Sequence, residues 1–346
     1  MSQTRIDGIR IAGVSTCVPA KTVNNAELGA QFGETEVRKV IAMAGVHSRH
    51  VADESITSAD LCFEASVSLL DKLGWARDSI DALILVTQTP DYFLPSSACM
   101  VHKWLGLSTD CAAFDVGLGC SGYPYGLYIA ATMLRGGGHK RILMLHGETP
   151  SRFVNEADHA TRLLFGDAGS ATALELADDA EPSWFSLHTD GSGYKGLIIP
   201  GGAFRDRNAA NPRDRDLTMD GGAIFNFTVK RVPEVIKSML GFASLGASEI
   251  DLYLFHQSNR FIMKHIAKKC GLPEEKVPLI LENFGNSGGP SVAVTLTQVL
   301  PAERTASLRL MLLGYGVGLS WAAAVVSADP VLVVSHELYT GSVTRQ

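Results

Sequence analysis

Asp78-Ser-Ile-Asp-Ala-Leu-Ile-Leu-Val-Thr-Gln-Thr89 and Ser248-Glu-Ile-Asp-Leu-Tyr-Leu-Phe-His-Gln-Ser258 read alike. Each opens on a capped turn, runs into an apolar strand pattern and ends in polar residues at the strand's C-terminal end. Each is followed by an amphipathic helical stretch closing in a similar tripeptide, Leu105-Gly-Leu107 and Cys270-Gly-Leu272. The correspondence continues in the same order. Phe114-Asp-Val-Gly-Leu-Gly-Cys-Ser-Gly122 lines up with Leu281-Glu-Asn-Phe-Gly-Asn-Ser-Gly288, each ahead of a helix rich in small residues. Lys140-Arg-Ile-Leu-Met-Leu-His146 matches Leu308-Arg-Leu-Met-Leu-Leu-Gly314, and Gly166-Asp-Ala-Gly-Ser170 and Gly316-Val-Gly-Leu-Ser320 each precede a further strand. Matched blocks in one order imply a duplicated α/β half, dividing the chain into 1–177 and 178–346.

Strands alternating with helices predict mostly parallel sheets covered by helices, with the active site beyond the strands' C-terminal ends. The repeat places Cys120 and Asn286 at equivalent points, each at a strand-to-helix turn, and His256 at the end of the strand preceding Asn286. Three polar groups from separated stretches are thereby directed to one pseudo-twofold centre. The Gly191–Gly222 interval, rich in Gly, Pro and Arg, reads as a surface loop whose arginines form a solvated cluster. The segment from Ser327 to Gln346 carries one apolar run, Val331-Leu-Val-Val334. It fits an added edge strand or a partner contact equally well.

The 346 residues are 46% hydrophobic and 19% charged, enough for a large core, and a net charge of −6 argues against a nucleic-acid binder. No apolar run reaches the ~18 residues of a membrane span. Met1 to Arg10 lacks the apolar block of a secretory signal, which points to the cytoplasm. The six cysteines show neither a CxxC pair nor metal-ligand spacing, so they read as reduced thiols, and no metal is expected.

Cys120 lies between Gly119 and Ser121-Gly122, ahead of a helical run from Tyr125 to Met133. A thiol at a helix N-terminus meets unpaired backbone N–H groups and the positive end of the helix dipole, which favour thiolate. His256 and Asn286, taken together, offer two hydrogen-bond donors to one developing oxyanion. A neutral imidazole Nε2–H and a carboxamide stabilise a thioester enolate without transferring a proton, and such an enolate forms when a malonyl thioester loses carbon dioxide. The Gly314-to-Ser320 loop brings the Gly318 N–H beside that of Cys120 as an oxyanion pair for acyl transfer. Asp91 reads as a loop cap.

The blocks around Cys120, His256-Gln-Ser-Asn259, Asn286 and Gly314 to Trp321 resemble ketoacyl-acyl-carrier-protein synthase III, a family of condensing enzymes. The resemblance runs from about Ile9 to Val326. It includes Ala44-Gly-Val-His-Ser-Arg-His50, Pro95-Ser-Ser-Ala-Cys99, Phe165-Gly-Asp-Ala-Gly169 and Met219-Asp-Gly-Gly-Ala-Ile-Phe225. It implies an α/β thiolase-like fold, with duplicated halves in five layers (αβαβα), a homodimer, and a triad of Cys120, His256 and Asn286. It also implies acylation of the cysteine followed by decarboxylative Claisen condensation, with thioesters of coenzyme A or acyl carrier protein as substrates and no separate cofactor. Asn259 corresponds to a residue that supports the histidine's surroundings.

Departures cluster where the family binds its donor. A tryptophan and an arginine that sandwich the adenine of coenzyme A correspond to Lys39 and Met43, and an arginine on the nucleotide phosphate corresponds to His159. A bulky aromatic reaching the partner's pocket corresponds to Leu94, beside Tyr92 and Phe93. Of the basic residues for carrier docking, one position falls on Phe261, after Arg260, while Lys268 and Lys269 match. Guanidinium stacking is not replaced by a thioether, so an acyl donor other than acetyl-coenzyme A is expected. The competing readings are a condensing or acyl-transfer enzyme of secondary metabolism on the same fold, and a non-catalytic thiolase-fold subunit. A cysteine protease fits less well, because an asparagine joins the histidine as a second donor.

Overall fold

A computed structural model describes residues 2–301 and 303–345. Eleven strands build the two main sheets: β1 (Ser2–Ile6), β2 (Ile9–Pro19), β3 (Ala82–Val86), β4 (Ala112–Val116), β5 (Arg141–Glu148), β6 (Ala168–Leu176), β7 (Ser183–Thr189), β8 (Leu252–Phe255), β9 (Leu308–Gly316), β10 (Ser320–Ala328) and β11 (Val333–Tyr339). The principal helices are α1 (Ser58–Leu73), α2 (Ser97–Leu105), α3 (Gly122–Gly136), α4 (Gly221–Ala243), α5 (Arg260–Cys270) and α6 (Ser291–Val299). The first sheet runs β11-β2-β6-β5-β3-β4 and the second β1-β7-β10-β9-β8.

The layers follow from which faces are apolar. Strands β3, β5 and β9 are buried at nearly every position, as strands covered on both faces are. Helices α3 and α6 pack between the sheets, where Tyr123, Leu127, Val292 and Leu296 meet Ile84, Met144, Leu254 and Leu312. Helices α1 and α2 cover the outer face of the first sheet through Leu61, Leu69 and Val101. Helices α4 and α5 cover the second through Val232, Ile236, Met263 and Ile266. This is the five-layered αβαβα arrangement of the thiolase fold.

The repeat is present: β3-α2-β4-α3-β5-β6 is matched by β8-α5-α6-β9-β10. Three corrections accompany it. The sheets are mixed rather than mostly parallel, because β5 to β6 and β9 to β10 connect without a long crossover helix and pair antiparallel. The second half has no counterpart of β4; Leu281–Phe284 is a single helical turn, and Phe165 forms only an isolated bridge with Asn286. The division at 177/178 does not partition the sheets, since β1 pairs with β7 in the second sheet and β11 pairs with β2 in the first. The C-terminal segment is thus an edge strand. Beyond it, Glu64 accepts from the Thr340 and Gly341 N–H groups, and the Arg345 guanidinium lies over Trp104.

Candidate active site

Cys120 sits in the turn between β4 and α3, with Ser121 at the N-cap position but its hydroxyl turned away from the helix. The Ser121 and Ser320 hydroxyls meet at 2.6 Å, and Ser320 donates to the Val317 carbonyl at 2.8 Å, tying this turn to the β9–β10 connection. Gly316 makes that approach possible. Its φ is +154°, and a Cβ there would lie 2.7 Å from both Cβ and Sγ of Cys120. Burial pushes the Cys120 thiol up to about 11, against the Val317 and Cys120 N–H groups that favour thiolate, with the Glu148 charge adding to the rise. The helix N-terminus is where the sequence placed it, but desolvation outweighs it. The resting group is a thiol.

His256 follows β8 directly and is 2% exposed. Its N–H donates to the Leu313 carbonyl at 2.7 Å, which continues the β8–β9 ladder by one residue and fixes where the ring emerges. Nδ1 contacts the Gly288 carbonyl at 3.0 Å and the Ser291 hydroxyl at 2.9 Å. Burial lowers the imidazole to about 4, with the Gly288 contact opposing. The next residue, Gln257, is a buried brace: its amide donates to the Phe255 and Pro278 carbonyls and accepts from the Ile280 N–H.

Asn286 reaches the same region from the other side. Its N–H donates to the Leu164 carbonyl, and its own carbonyl accepts from Gly166, so the loop is stitched to the end of the first half. The carboxamide oxygen accepts from the Gly288 N–H at 3.0 Å, and Nδ2 donates to the Ser258 carbonyl at 3.3 Å. One amide hydrogen fills that bond, and Nδ2 carries two.

Cys120, Gly119, Gly288, Val317 and Gly318 line one cavity of about 350 Å³. Its walls are mainly apolar: Phe153, Phe165, Leu197, Ile198, Ile199 and Leu217. Four of these come from the Gly191–Gly222 interval, which is therefore not only a surface loop. Leu197–Ile198 pairs with Thr218–Met219 and turns its apolar side chains inward. Glu148 is the one carboxylate in the described lining, beside the polar Gln88. It is 3% exposed, accepts from the Gln88 N–H at 2.8 Å and the Thr89 hydroxyl at 3.1 Å, and burial raises it to about 8. Behind the cavity lies His146, fully buried, with neither ring nitrogen hydrogen-bonded among the described residues. Burial first, and the His256 charge second, lower it to about 3, so it is neutral. Gly289 exists to admit this ring, since a Cβ there would lie 2.0 Å from Cε1.

The remaining expectations divide. Gly318 lines the cavity, but the N–H that reaches the Cys120 sulfur is that of Val317. Asn259 caps α5 by accepting from the Ile262 N–H at 2.8 Å; its carboxamide oxygen serves the helix and not His256. Lys39 is exposed and paired with Glu36, Met43 is exposed in a surface groove with Arg260 and Lys264, and His159 is exposed beside Phe32. Leu94, 79% exposed, stands with Tyr92 and Phe93 on the surface. None of these four lines the cavity that holds Cys120. Asp91 accepts from the Thr57 and Ser97 hydroxyls, a capping role. Glu148, Val317 and Ser291 were missed, because an acid at a strand end, a valine N–H and a helix-start serine carry no motif.

The chain is 35% identical over 355 aligned residues to a protein provisionally named 3-oxoacyl-[acyl-carrier-protein] synthase 3 of Campylobacter jejuni, covering 98% of this chain and 99% of that protein. It belongs to the 3-oxoacyl-[acyl-carrier-protein] synthase III family. The family models agree: the one described as 3-oxoacyl-[acyl-carrier-protein] synthase III matches residues 114–193, and its C-terminal counterpart matches 240–328. Among solved structures, a 3-oxoacyl-(acyl-carrier protein) synthase from Burkholderia xenovorans superposes with a TM-score of 0.93 at 41% identity, over 97% of this chain and 98% of that one. The priming β-ketosynthase of the R1128 polyketide pathway superposes with a TM-score of 0.85 at 26% identity, over 94% and 98%. As a member of the synthase III family, the chain is a condensing acyltransferase. Among the described residues no helix is long and apolar enough to cross a membrane.

Proposed function

We propose that Cys120 accepts an acyl group from a thioester and that His256 and Asn286 then serve a decarboxylative condensation with a malonyl thioester. The observation that carries this reading is that Cys120 and Gly288 line one apolar cavity, and that Gly288 contacts His256 through its carbonyl and Asn286 through its N–H. At rest both the thiol and the imidazole are neutral, so attack on the donor carbonyl must be accompanied by loss of the thiol proton, which leaves with the departing thiol. The Cys120 and Gly318 N–H groups, from two residues that line the cavity, receive the oxygen that gains charge. In the second half-reaction the carboxyl–carbon bond of the malonyl thioester breaks. Its electron pair passes into an enolate held by His256 and Asn286, and the enolate carbon attacks the acyl carbonyl. The Cys120 sulfur leaves and regains a proton. Acyl and malonyl thioesters of coenzyme A or a carrier protein are the substrates, without a further cofactor.

A cavity of about 350 Å³ exceeds what an acetyl group needs, given that a liquid water occupies about 30 Å³. Together with the exposed Met43 and His159, this favours a donor with a longer or branched acyl chain, supplied by primary or secondary metabolism. A homodimer is the working assembly in this reading. The outer edge of β4 is unpaired among the described residues, and Tyr92, Phe93, Leu94 and Phe204 expose apolar surface nearby in the fold's Cys120 half and its flanking loop. In this reading the enzyme works in the cytoplasm.

Intact-protein mass spectrometry after mixing with acyl-coenzyme A and acyl-carrier donors of two to ten or so carbons tests the assignment. A single acyl adduct that disappears in Cys120→Ala, with carbon dioxide released on adding the malonyl thioester, is expected. An adduct that survives Cys120→Ala would sink the nucleophile assignment. Fastest turnover with acetyl-coenzyme A would sink the donor assignment alone.

A further inference from the structure

The condensation needs His256 to present Nε2–H to the enolate, and a neutral imidazole has only one N–H to place. Which nitrogen holds it is decided by what faces the other one. Two groups face Nδ1, and they differ in kind. The Gly288 carbonyl can only accept, which would call for Nδ1–H and leave Nε2 bare. The Ser291 hydroxyl can accept or donate, so it is compatible with either form.

Counting donors and acceptors separates the two. Ser291 is fully buried, and its oxygen already accepts the Gln257 N–H at 3.1 Å. Its hydroxyl hydrogen has His256 Nδ1, at 2.9 Å, as the acceptor in reach. The Gly288 carbonyl, for its part, is already served by the Ser291 backbone N–H at 3.2 Å. With Nδ1 unprotonated every hydrogen in this group has an acceptor, against the cost of the Gly288 carbonyl oxygen standing 3.0 Å from the Nδ1 lone pair. With Nδ1 protonated, its single N–H goes to oxygens that already have a donor, while the buried Ser291 hydroxyl hydrogen loses Nδ1 as its acceptor, which is the costly arrangement.

We propose that Ser291 is a positioning residue that fixes His256 as the Nε2–H tautomer, so that the condensation finds a hydrogen-bond donor and not a lone pair. The chain from the Gln257 N–H through the Ser291 hydroxyl to Nδ1 polarises in one direction, towards the cavity. Gln257 is held in turn by Phe255, Pro278 and Ile280, so the N–H that starts the chain is fixed in space. Helix α6 begins at Ser291, which ties the tautomer to the same element that follows the Asn286 loop.

This inference rests on His256 being an enolate donor, a reading tested separately by His256→Ala, which should lose condensation and keep acylation. For Ser291 itself the variant is Ser291→Ala, which leaves the Gly288 carbonyl as the sole partner of Nδ1 and moves the proton there. Condensation at pH 7, measured on preformed acyl-enzyme, should fall about 100-fold, in line with loss of one oxyanion donor, while the acylation rate changes less than about threefold. The pH profile gives a signature that altered packing would not. An imidazolium carries both N–H groups, so Ser291→Ala should regain condensation, by roughly tenfold, as pH falls from 7 to 5, where the wild type is flat. Ser291→Thr, which restores the hydroxyl, should recover most of the rate. Nitrogen-15 NMR of histidine-labelled wild-type protein reads the tautomer directly and needs no variant. A His256 signal of the Nδ1–H form in the wild type overturns the proposal, as does a folded Ser291→Ala that condenses at the wild-type rate or shows no gain at low pH.

Discussion

Glu148→Gln isolates the most perturbed acid in the cavity wall. The carboxyl is held by the Gln88 N–H and the Thr89 hydroxyl, yet burial raises it from 4.5 to about 8. A carboxyl that binds its proton more tightly in the folded chain than in the unfolded one stabilises the fold below pH 4.5. That contribution is lost as pH rises towards 8. Each pH unit in this window is worth ~1.4 kcal/mol, so the wild type should lose on the order of 4 kcal/mol between pH 5 and pH 8 from this group. Glutamine has the shape of the protonated acid, keeps an oxygen for the Gln88 N–H and does not titrate. Urea unfolding of both proteins at pH 5 and pH 8, at one protein concentration, should show them nearly equal at pH 5. At pH 8 the variant should be the more stable, by about 2–4 kcal/mol. If the gap between the two proteins shifts by less than ~1 kcal/mol across that range, Glu148 is ionised in the folded protein and the cavity wall is wetter than its burial implies.

Two further outcomes follow from the site. Gly316→Ala places a Cβ 2.7 Å from the Cys120 sulfur at a φ of +154°, so the sulfur must move by about 1 Å; stopped-flow acylation should slow by roughly 100-fold, and an unchanged rate would contradict the packing around the thiol. His256, held near 4 by burial, should leave the condensation rate of preformed acyl-enzyme without an inflection between pH 5 and 8; a step centred on 6.5 would mean a solvated ring.

Much of the architecture could be read from the chain because a duplication states its own pattern twice. The β3 and β8 strands, the turns at Cys120 and Asn286, and the position of His256 all followed from aligning one half on the other. What escaped were features without a partner in the repeat. Leu197-Ile198-Ile199 is short and flanked by Gly and Pro, so its periodicity is too brief to mark a cavity wall. The Leu281–Phe284 turn replaces a strand because Gly285, at a φ of +63°, and the Asn286 bridge to Phe165 redirect the chain after one turn. The apolar run at Val331 to Val334 was consistent with two fates, and only the open edge of β2 selected one. Asn259, three residues past His256, gives its side-chain oxygen to the first turn of α5, a cap that the sequence pattern alone did not mark.

The state of Cys120 is where local and global physics disagree. A helix N-terminus stabilises an adjacent anion by ~0.3–1 kcal/mol, and up to ~2 in a partly buried geometry, enough to lower a thiol by about one and a half units. Burial of a thiolate in an apolar wall opposes this and is the larger effect here. The sum leaves the group near 11, with the Glu148 charge contributing to the rise. A sequence shows the helix start but not the depth of the wall, so it reports the smaller effect and hides the larger. For the mechanism this means that Cys120 is not a standing thiolate. Its activation must arrive with the donor, whose carbonyl oxygen, as it gains charge, draws on the Cys120 and Gly318 N–H groups. Under the proposed role, acylation of Cys120 waits until the donor fills the cavity.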